Sequence, residues 1–444
     1  MQSWKNHIPL YSFSVLCALC VFSYLPLLQF GMITGTHIDV SLVYIALMFT
    51  AICAVPEVWR HRTVVWSYPA WRWLIAYQLF VSLSVLWSQN VSRALLTIAF
   101  GWALIAVVSL VLVYRAPLKR HSPTIERWVR IAIYVSLWWA GWQLIGDAFH
   151  MPNWTTLLPP QYGGDVFGVA RPTAFALEPQ FFGSLLLVVF GIGVHRSITQ
   201  TQWSDGPLLV VVTTFLLLTL SRGALVASVA IVVLLIATQR HSRRALLRTG
   251  GLLVLGVGIG FVTLFCLASI RGGAITSGAV SVRAAVEHLS VGYFRFSTPS
   301  QPTHSVASVA SPTPSYIQSS TDSRLSMAQV ALQIWRSSPL TGVGVGSFGA
   351  ASRELSPIYP LSTVANNYYL ELLAEVGMIG LLLFGGFITT ILYNLGKQRN
   401  WLLLALLVGV LSQWWFFSGN ANVIHVWILL GIAAAATPII KKKR

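Results

Sequence analysis

The sequence predicts an all-α, polytopic membrane helical bundle of about 12 transmembrane helices, with a long external loop between helices 9 and 10. Three observations predict it. Hydrophobic residues are 55% of the 444 and charged residues 9%, against roughly 25% charged in a soluble domain. Apolar runs follow one another along the chain, at 9–29, 36–56, 73–87, 94–114, 128–148, 181–195, 207–220, 223–238, 249–270, 368–393, 401–418 and 424–440. The runs are continuous rather than alternating. Only helices and closed barrels satisfy backbone polar groups in lipid, so helices are expected. The third observation is the distribution of charge.

The net charge is +17, and topology explains it better than nucleic acid does. With a cytoplasmic N-terminus and twelve crossings, the inner connections hold 20 of the 29 Lys and Arg residues. They include Arg60, Arg62, Arg115, Lys119, Arg120, Arg130, Arg196, Arg243 and the Lys441–Arg444 tail. The short outer connections hold Arg93, Arg171 and Arg222, and the long loop the other six. This is the positive-inside pattern. No basic run carries the interleaved aromatics of a nucleic-acid groove, so no nucleic-acid partner is expected.

Taken in order, residues 1–271 are expected to form helices 1–9, residues 272–362 an external loop, and residues 363–444 helices 10–12. The first apolar run lacks a cleavage-like site and reads as a retained helix rather than a signal peptide. The inner connections, such as RAPLKRHSPTIER at 115–127, read as short basic loops. Residues 149–180 are rich in Pro, Gly and aromatics and read as ordered without being simply helical. In the long loop, 281–289 suggests a short helix, and the Ser/Thr/Pro stretch 297–321 reads as mobile. Residues 323–336 read as an amphipathic helix capped by Ser323, with Leu325, Ala328, Leu332 and Trp335 on its apolar face. The GVGVG of 342–346 lacks the Lys-Ser/Thr of a phosphate loop and reads as a tight turn near the bilayer surface. Cys17, Cys20, Cys53 and Cys266 all lie in apolar runs, so no disulfide framework is indicated.

Three stretches can carry chemistry. In Leu220-Ser221-Arg222-Gly223, an arginine interrupts a long apolar stretch. Arg222 reads either as a snorkelling turn residue or as a cation for a phosphate-bearing ligand, since guanidinium matches phosphate oxygens in pairs. In Arg171-Pro172-Thr173-Ala174-Phe175-Ala176-Leu177-Glu178-Pro179, one Arg and one Glu precede a membrane helix. They read as an ion pair holding the chain's re-entry, or as a second phosphate contact beside a hydroxyl ligand or general base. In Asn366-Asn367-Tyr368-Tyr369-Leu370-Glu371, continuing to Glu375, the residues Asn367, Glu371 and Glu375 share one helix face. Asn366 is the expected N-cap, and the acidic residues suit a helix start as well as chemistry. Arg324 is the preferred third cation. No metal-ligand spacing stands out, and neither metal nor cofactor is expected.

These stretches, in this order, resemble the O-antigen ligase and O-antigen polymerase superfamily of bacterial membrane glycosyltransferases. The Ser-Arg-Gly turn at 221–223, GVGVGSF at 342–348 and NNYYLELLAEVGMIG at 366–380 carry the likeness. RPTAFALEP at 171–179 is similar to the version in exopolysaccharide polymerases. The likeness covers about residues 165–440. It implies glycans on undecaprenyl pyrophosphate as substrates, met at the outer face of the bacterial inner membrane with both termini cytoplasmic. Arg171, Arg222 and Arg324 would hold the pyrophosphate. Glu178 and Glu371, with Asn366, would be the catalytic set, and Asn367 and Tyr368 would orient the acceptor. A flippase and a chain-length regulator would be pathway partners. Ligases of this family carry His where this chain has Asn366, and an amide cannot take a proton. Polymerase is therefore preferred over a ligase acting on lipid A core. A protein oligosaccharyltransferase and an exporter of lipid-linked glycans are the remaining alternatives.

Overall fold

The computed structural model describes residues 8–23, 26–33, 36–163, 169–199, 205–239, 242–272, 316–361, 363–418 and 423–436, with Val282, Arg283, Ala285, Val286 and Leu289 between them. The described residues are almost wholly helical. Helix α1 (Ile8–Leu19) leads through a tight turn to an antiparallel hairpin, β1 (Pro26–Ile33) and β2 (Thr36–Ser41). Then come α2 (Leu42–Arg60), α3 (Pro69–Leu83), α4 (Val91–Val113), α5 (Arg115–Ala148), α6 (Pro179–Thr199), α7 (Gly206–Leu218), α8 (Arg222–Thr238) and α9 (Arg243–Gly272). The return is made by α10 (Tyr316–Ser337), α11 (Phe348–Leu355), α12 (Tyr368–Lys397), α13 (Trp401–Gln413) and α14 (Ile424–Ala435).

Each of the twelve apolar runs overlaps a helix among the described residues, some only in part. By length and composition, α2, α4, α6, α9 and α12 can each cross a membrane, and α1, α7, α8, α13 and α14 are shorter apolar helices. Two expectations need correction. The runs 9–29 and 36–56 are not helical throughout, because the hairpin occupies 26–41. Pro26 cannot continue a helix, and Ile33, Thr34, Thr36, Ile38 and Val40 are β-branched and favour extended backbone. Residues 115–127 are not a loop but the first turns of the 34-residue α5, which carries Pro123 inside it.

Helix ends follow local chemistry. Asn90 accepts the Arg93 amide at 3.1 Å to start α4, and Asn400 accepts the Leu403 amide at 3.4 Å to start α13. Pro69 and Pro179 open α3 and α6, where a missing N–H is harmless. Helix α9 lies close to α7 through Gly256 and Gly260, where a Cβ would press on Thr213 and Leu217. Small residues four apart let membrane helices approach in this way. The opposite side of α9 exposes Leu247, Val254 and Val262, as a lipid-facing stripe would.

The Gly-rich turn does more than sit at a surface. It inserts into a break in α12 at Gly377, whose φ is +63°. The Val343 and Gly344 amides donate to the Ala374 and Glu375 carbonyls at 3.0 and 2.8 Å. The Met378 and Ile379 amides donate to the Pro339 and Leu340 carbonyls at 3.0 and 3.1 Å. The backbone groups orphaned by the break are thereby satisfied.

Helix α10 begins at Tyr316, not at Ser323, and buries Met327, Val330, Ala331 and Ile334 against Phe348, Ala351, Ala365 and Ala374. Leu325, on the apolar face read from the sequence, is 61% exposed. The sequence carries two apolar stripes at helical spacing, and periodicity cannot tell which one meets the bundle. The suggested helix at 281–289 and the Ser/Thr/Pro stretch up to residue 315 lie outside the described residues, apart from the five positions named above.

Gly377→Ala should cost about 2 kcal/mol or more, since its positive φ disfavours any Cβ and the new methyl would meet the Leu340 carbonyl. Gly385→Ala, with open space around it, should be neutral or mildly stabilising. Thermal unfolding of the two variants in detergent checks this.

Candidate functional site

Three arginines far apart in sequence meet where α6, α8 and α13 end together. Thr219 closes the last turn of α7, and Leu220 turns the chain with φ +49°. Ser221 then caps α8, its hydroxyl accepting the Ala224 amide at 3.4 Å. This fixes Arg222, which is buried, in the first turn of α8. The turn packs tightly on its neighbours: Gly183 of α6 lies against Ser221 and Ala224, and Gly223 lies against Gln413 and Phe416. Gln413 also donates to the Gln180 carbonyl at 3.1 Å.

Arg171 comes to the same place from the 149–180 connection. Its Nε donates to the Thr219 carbonyl at 3.1 Å, its guanidinium lies 5.9 Å from the Tyr162 ring centroid, and its backbone amide donates to the Tyr162 carbonyl at 2.9 Å. Arg324, in α10, donates to the Phe416 carbonyl at 3.0 Å. Glu178, half-buried, stands just before α6, where its carbonyl accepts the Phe181 and Phe182 amides. Burial pushes its carboxyl above the ordinary value, while Arg171, Arg324 and a hydrogen bond from Tyr162 pull the other way.

The cations are held differently at the far ends of the same helices. There Arg130 and Arg196 both pair with Glu126 at 2.8 Å and with Asp205 at 3.4 and 2.9 Å. At the other end of α5, Arg271, which closes α9, pairs with Asp147 at 2.6 Å. Arg171 and Arg324 instead donate to main-chain carbonyls. A carbonyl satisfies an N–H without carrying a full counter-charge, and Glu178 is a carboxyl on which both Arg171 and Arg324 act. A cation in the first turn of α8 also opposes the helix dipole, and an anion bound there would relieve that cost.

The third motif forms a separate cluster. Asn367, not Asn366, caps α12, accepting the Leu370 amide at 3.1 Å. Asn366 sits in the left-handed region at φ +54°, which Asn tolerates better than most residues, and is therefore unavailable as the cap. The Tyr368 amide donates to the Trp414 carbonyl at 2.9 Å, and its ring lies 5.0 Å from Trp414 and 5.8 Å from Phe384. Glu371 and Glu375 do share a face, and each accepts a backbone amide at 3.0 Å, from Ala365 and Phe348 respectively. Both line a cavity of about 100 Å³ with Arg93, Tyr77, Gln78 and Thr97. Arg93 donates to the Leu361 carbonyl at 2.9 Å. That volume holds only a few waters, and both carboxylates fasten turns of the long loop to α12. Sequence reasoning missed Tyr162 and the partnership of Arg93 with these carboxylates. No local pattern announces either contact. Among the described residues, no three His, Cys, Asp or Glu side chains gather as a metal site.

Because Arg171 and Arg324 both lower the Glu178 titration point, Arg171→Met or Arg324→Met should raise it further. pH-difference infrared spectroscopy can follow the carboxyl band that Glu178→Gln removes. No upward movement in either variant would separate Glu178 from this cation group.

No curated protein matches the chain. Residues 207–385 match the family model described as O-antigen ligase. The matched stretch contains Arg222, Arg324, the Gly-rich turn and Asn366 to Glu375; Arg171 and Glu178 precede it. Over that stretch, and not over the chain as a whole, the protein is similar to the O-antigen ligase family.

Proposed function

We propose that the protein is a polytopic inner-membrane glycosyltransferase that polymerises undecaprenyl-pyrophosphate-linked saccharide units at the outer face. The observation that carries this reading is the convergence of Arg171 and Arg222 on one turn, with Arg171 bonded to the Thr219 carbonyl. A twelve-span path with cytoplasmic termini puts Arg93, Arg171, Arg222, Arg324 and Glu178 on the outer side. It leaves the Glu126–Asp205 ion-pair cluster on the inner side. The membrane lipid, a flippase and a chain-length regulator are the partners such a pathway needs.

The chemistry suits these residues without a metal. An acceptor sugar hydroxyl attacks the anomeric carbon of the donor glycan. The bond from that carbon to the phosphate oxygen breaks, and its electron pair leaves on the lipid pyrophosphate. This leaving group is a stable anion and needs preorganised positive charge rather than a general acid. Arg171, Arg222 and Arg324 supply that charge. The hydroxyl proton passes to Glu178, whose burial favours accepting it. Glu371 is the weaker candidate for a base because it already holds the Ala365 amide. Asn366, Asn367 and Tyr368 frame the acceptor side.

Ligase activity is the second reading, favoured by the description of the matching family model. Asn366 speaks against it, since an amide can orient a hydroxyl but not deprotonate it.

In liposomes given a lipid-linked repeat unit, the protein should build polymer ladders. Arg171→Ala and Arg222→Ala should each slow this ~10²-fold or more, with folded protein retained. Full activity in both variants would remove the site. Ladders with the repeat unit alone support the polymerase; transfer only to lipid A core, without ladders, assigns the ligase.

The rate should rise with pH through an inflection above the ordinary carboxylate range, since Glu178 must be ionised to accept a proton. Glu178→Gln should abolish that inflection and slow the reaction ~10²-fold. An unchanged pH profile in Glu178→Gln would take the base role from it.

A further inference from the structure

Helix α5 ends in a stripe of three residues spaced four apart, Trp139, Gln143 and Asp147, and each holds a different part of the outer connections. Asp147 holds Arg271 where α9 ends. The Trp139 ring is stacked on Phe175, with centroids 5.5 Å apart and planes 20° from parallel. Gln143 is fully buried and makes the densest set of contacts. Its Oε1 accepts the Thr173 and Ala174 amides at 3.0 and 2.8 Å. Its Nε2 lies 3.2 Å from each of three acceptors, the Thr156 and Ala174 carbonyls and the Thr173 hydroxyl.

The turn held in this way is not one the chain adopts willingly. Ala174 has φ +50°, a left-handed conformation that disfavours alanine, and it is buried, so its amide needs an acceptor within the protein. Arg171 lies three residues before it, linked through Pro172, whose ring fixes φ. The position of the Arg171 guanidinium over Thr219 therefore depends on the turn, and the turn depends on the carboxamide. Only an amide can accept two N–H groups on one side and donate on the other. Glutamate lacks the donors, and leucine lacks both.

We propose that Gln143 is a positioning residue for transfer: it touches no substrate, and it holds Arg171 where a departing pyrophosphate would meet it. This rests on the reading of Arg171 given above. The experiment therefore separates the two. Transfer rates are measured per folded molecule on a lipid-pyrophosphate-linked glycan for Gln143→Leu, Gln143→Glu, Arg171→Ala, and each Gln143 variant combined with Arg171→Ala. The expected result is a fall in kcat/KM of ten-fold or more in Gln143→Leu and a smaller fall in Gln143→Glu, which keeps the acceptor oxygens. Each double variant should be no slower than Arg171→Ala alone, because both changes act through the same guanidinium.

Losses that multiply in the double variants would overturn the proposal, as would full kcat/KM in Gln143→Leu. If Gln143→Leu does not fold, Gln143→Glu carries the comparison. Loss of folded protein in both would assign Gln143 to folding alone and also overturn it. An Arg171→Ala protein with unchanged rate would instead reject the pyrophosphate site itself, whatever Gln143 does.

Discussion

Arg171 and Arg324 are satisfied by main-chain carbonyls at the ends of other segments, Thr219 and Phe416. A buried guanidinium must place its N–H groups somewhere, and the choice of acceptor decides what the charge can do. Against a carboxylate the charge is spent, as it is for Arg130, Arg196 and Arg271. A carbonyl meets the donor without adding a full counter-charge, and the field of the guanidiniums acts on the carboxyl beside them. The remaining features of the site follow from this arrangement. Glu178 is the carboxylate drawn into the field, and its titration reflects burial opposed by two guanidiniums.

Backbone strain gathers at the same places. Ala174, Leu220 and Asn366 each adopt positive φ, one in each of the three motifs. Such residues persist when their surroundings over-determine them. The surroundings can be named. Gln143 grips the Thr173–Ala174 turn, Ser221 and Thr219 bracket Leu220, and the Ala365 amide before Asn366 is tied to Glu371. The Gly-rich turn docked into the break of α12 does similar work for the long loop, fastening its end to the helix that carries Glu371 and Glu375. One cluster thus brings arginines of three segments together, and the other builds the frame beside it.

Much of this was legible in the sequence, because the bilayer imposes one-dimensional rules. The apolar runs overlap helices, and the arginines of the short connections stood out because charge is expensive beside lipid. The misreadings arose where two local signals competed. Both Asn366 and Asn367 can cap a helix, and only the left-handed turn at Asn366 decides between them. Helix α10 offers two apolar stripes, and tertiary packing chose the one without Leu325. Pro26 and the β-branched residues around it outweighed the hydropathy of the first runs. What the sequence could not reveal were contacts between distant segments: Tyr162 beneath Arg171, Arg93 facing two glutamates, and Gln143, a polar residue amid an apolar helix whose partners lie 13 to 31 positions away.

The most direct test of the account is a cryo-electron-microscopy structure of the full chain in lipid nanodiscs with undecaprenyl pyrophosphate bound. The account expects diphosphate oxygens within about 3 Å of the guanidinium groups of both Arg171 and Arg222, beside the Thr219 turn. A diphosphate seated against Arg93 in the other cluster, or among Arg130 and Arg196 at the opposite ends of the helices, would contradict it.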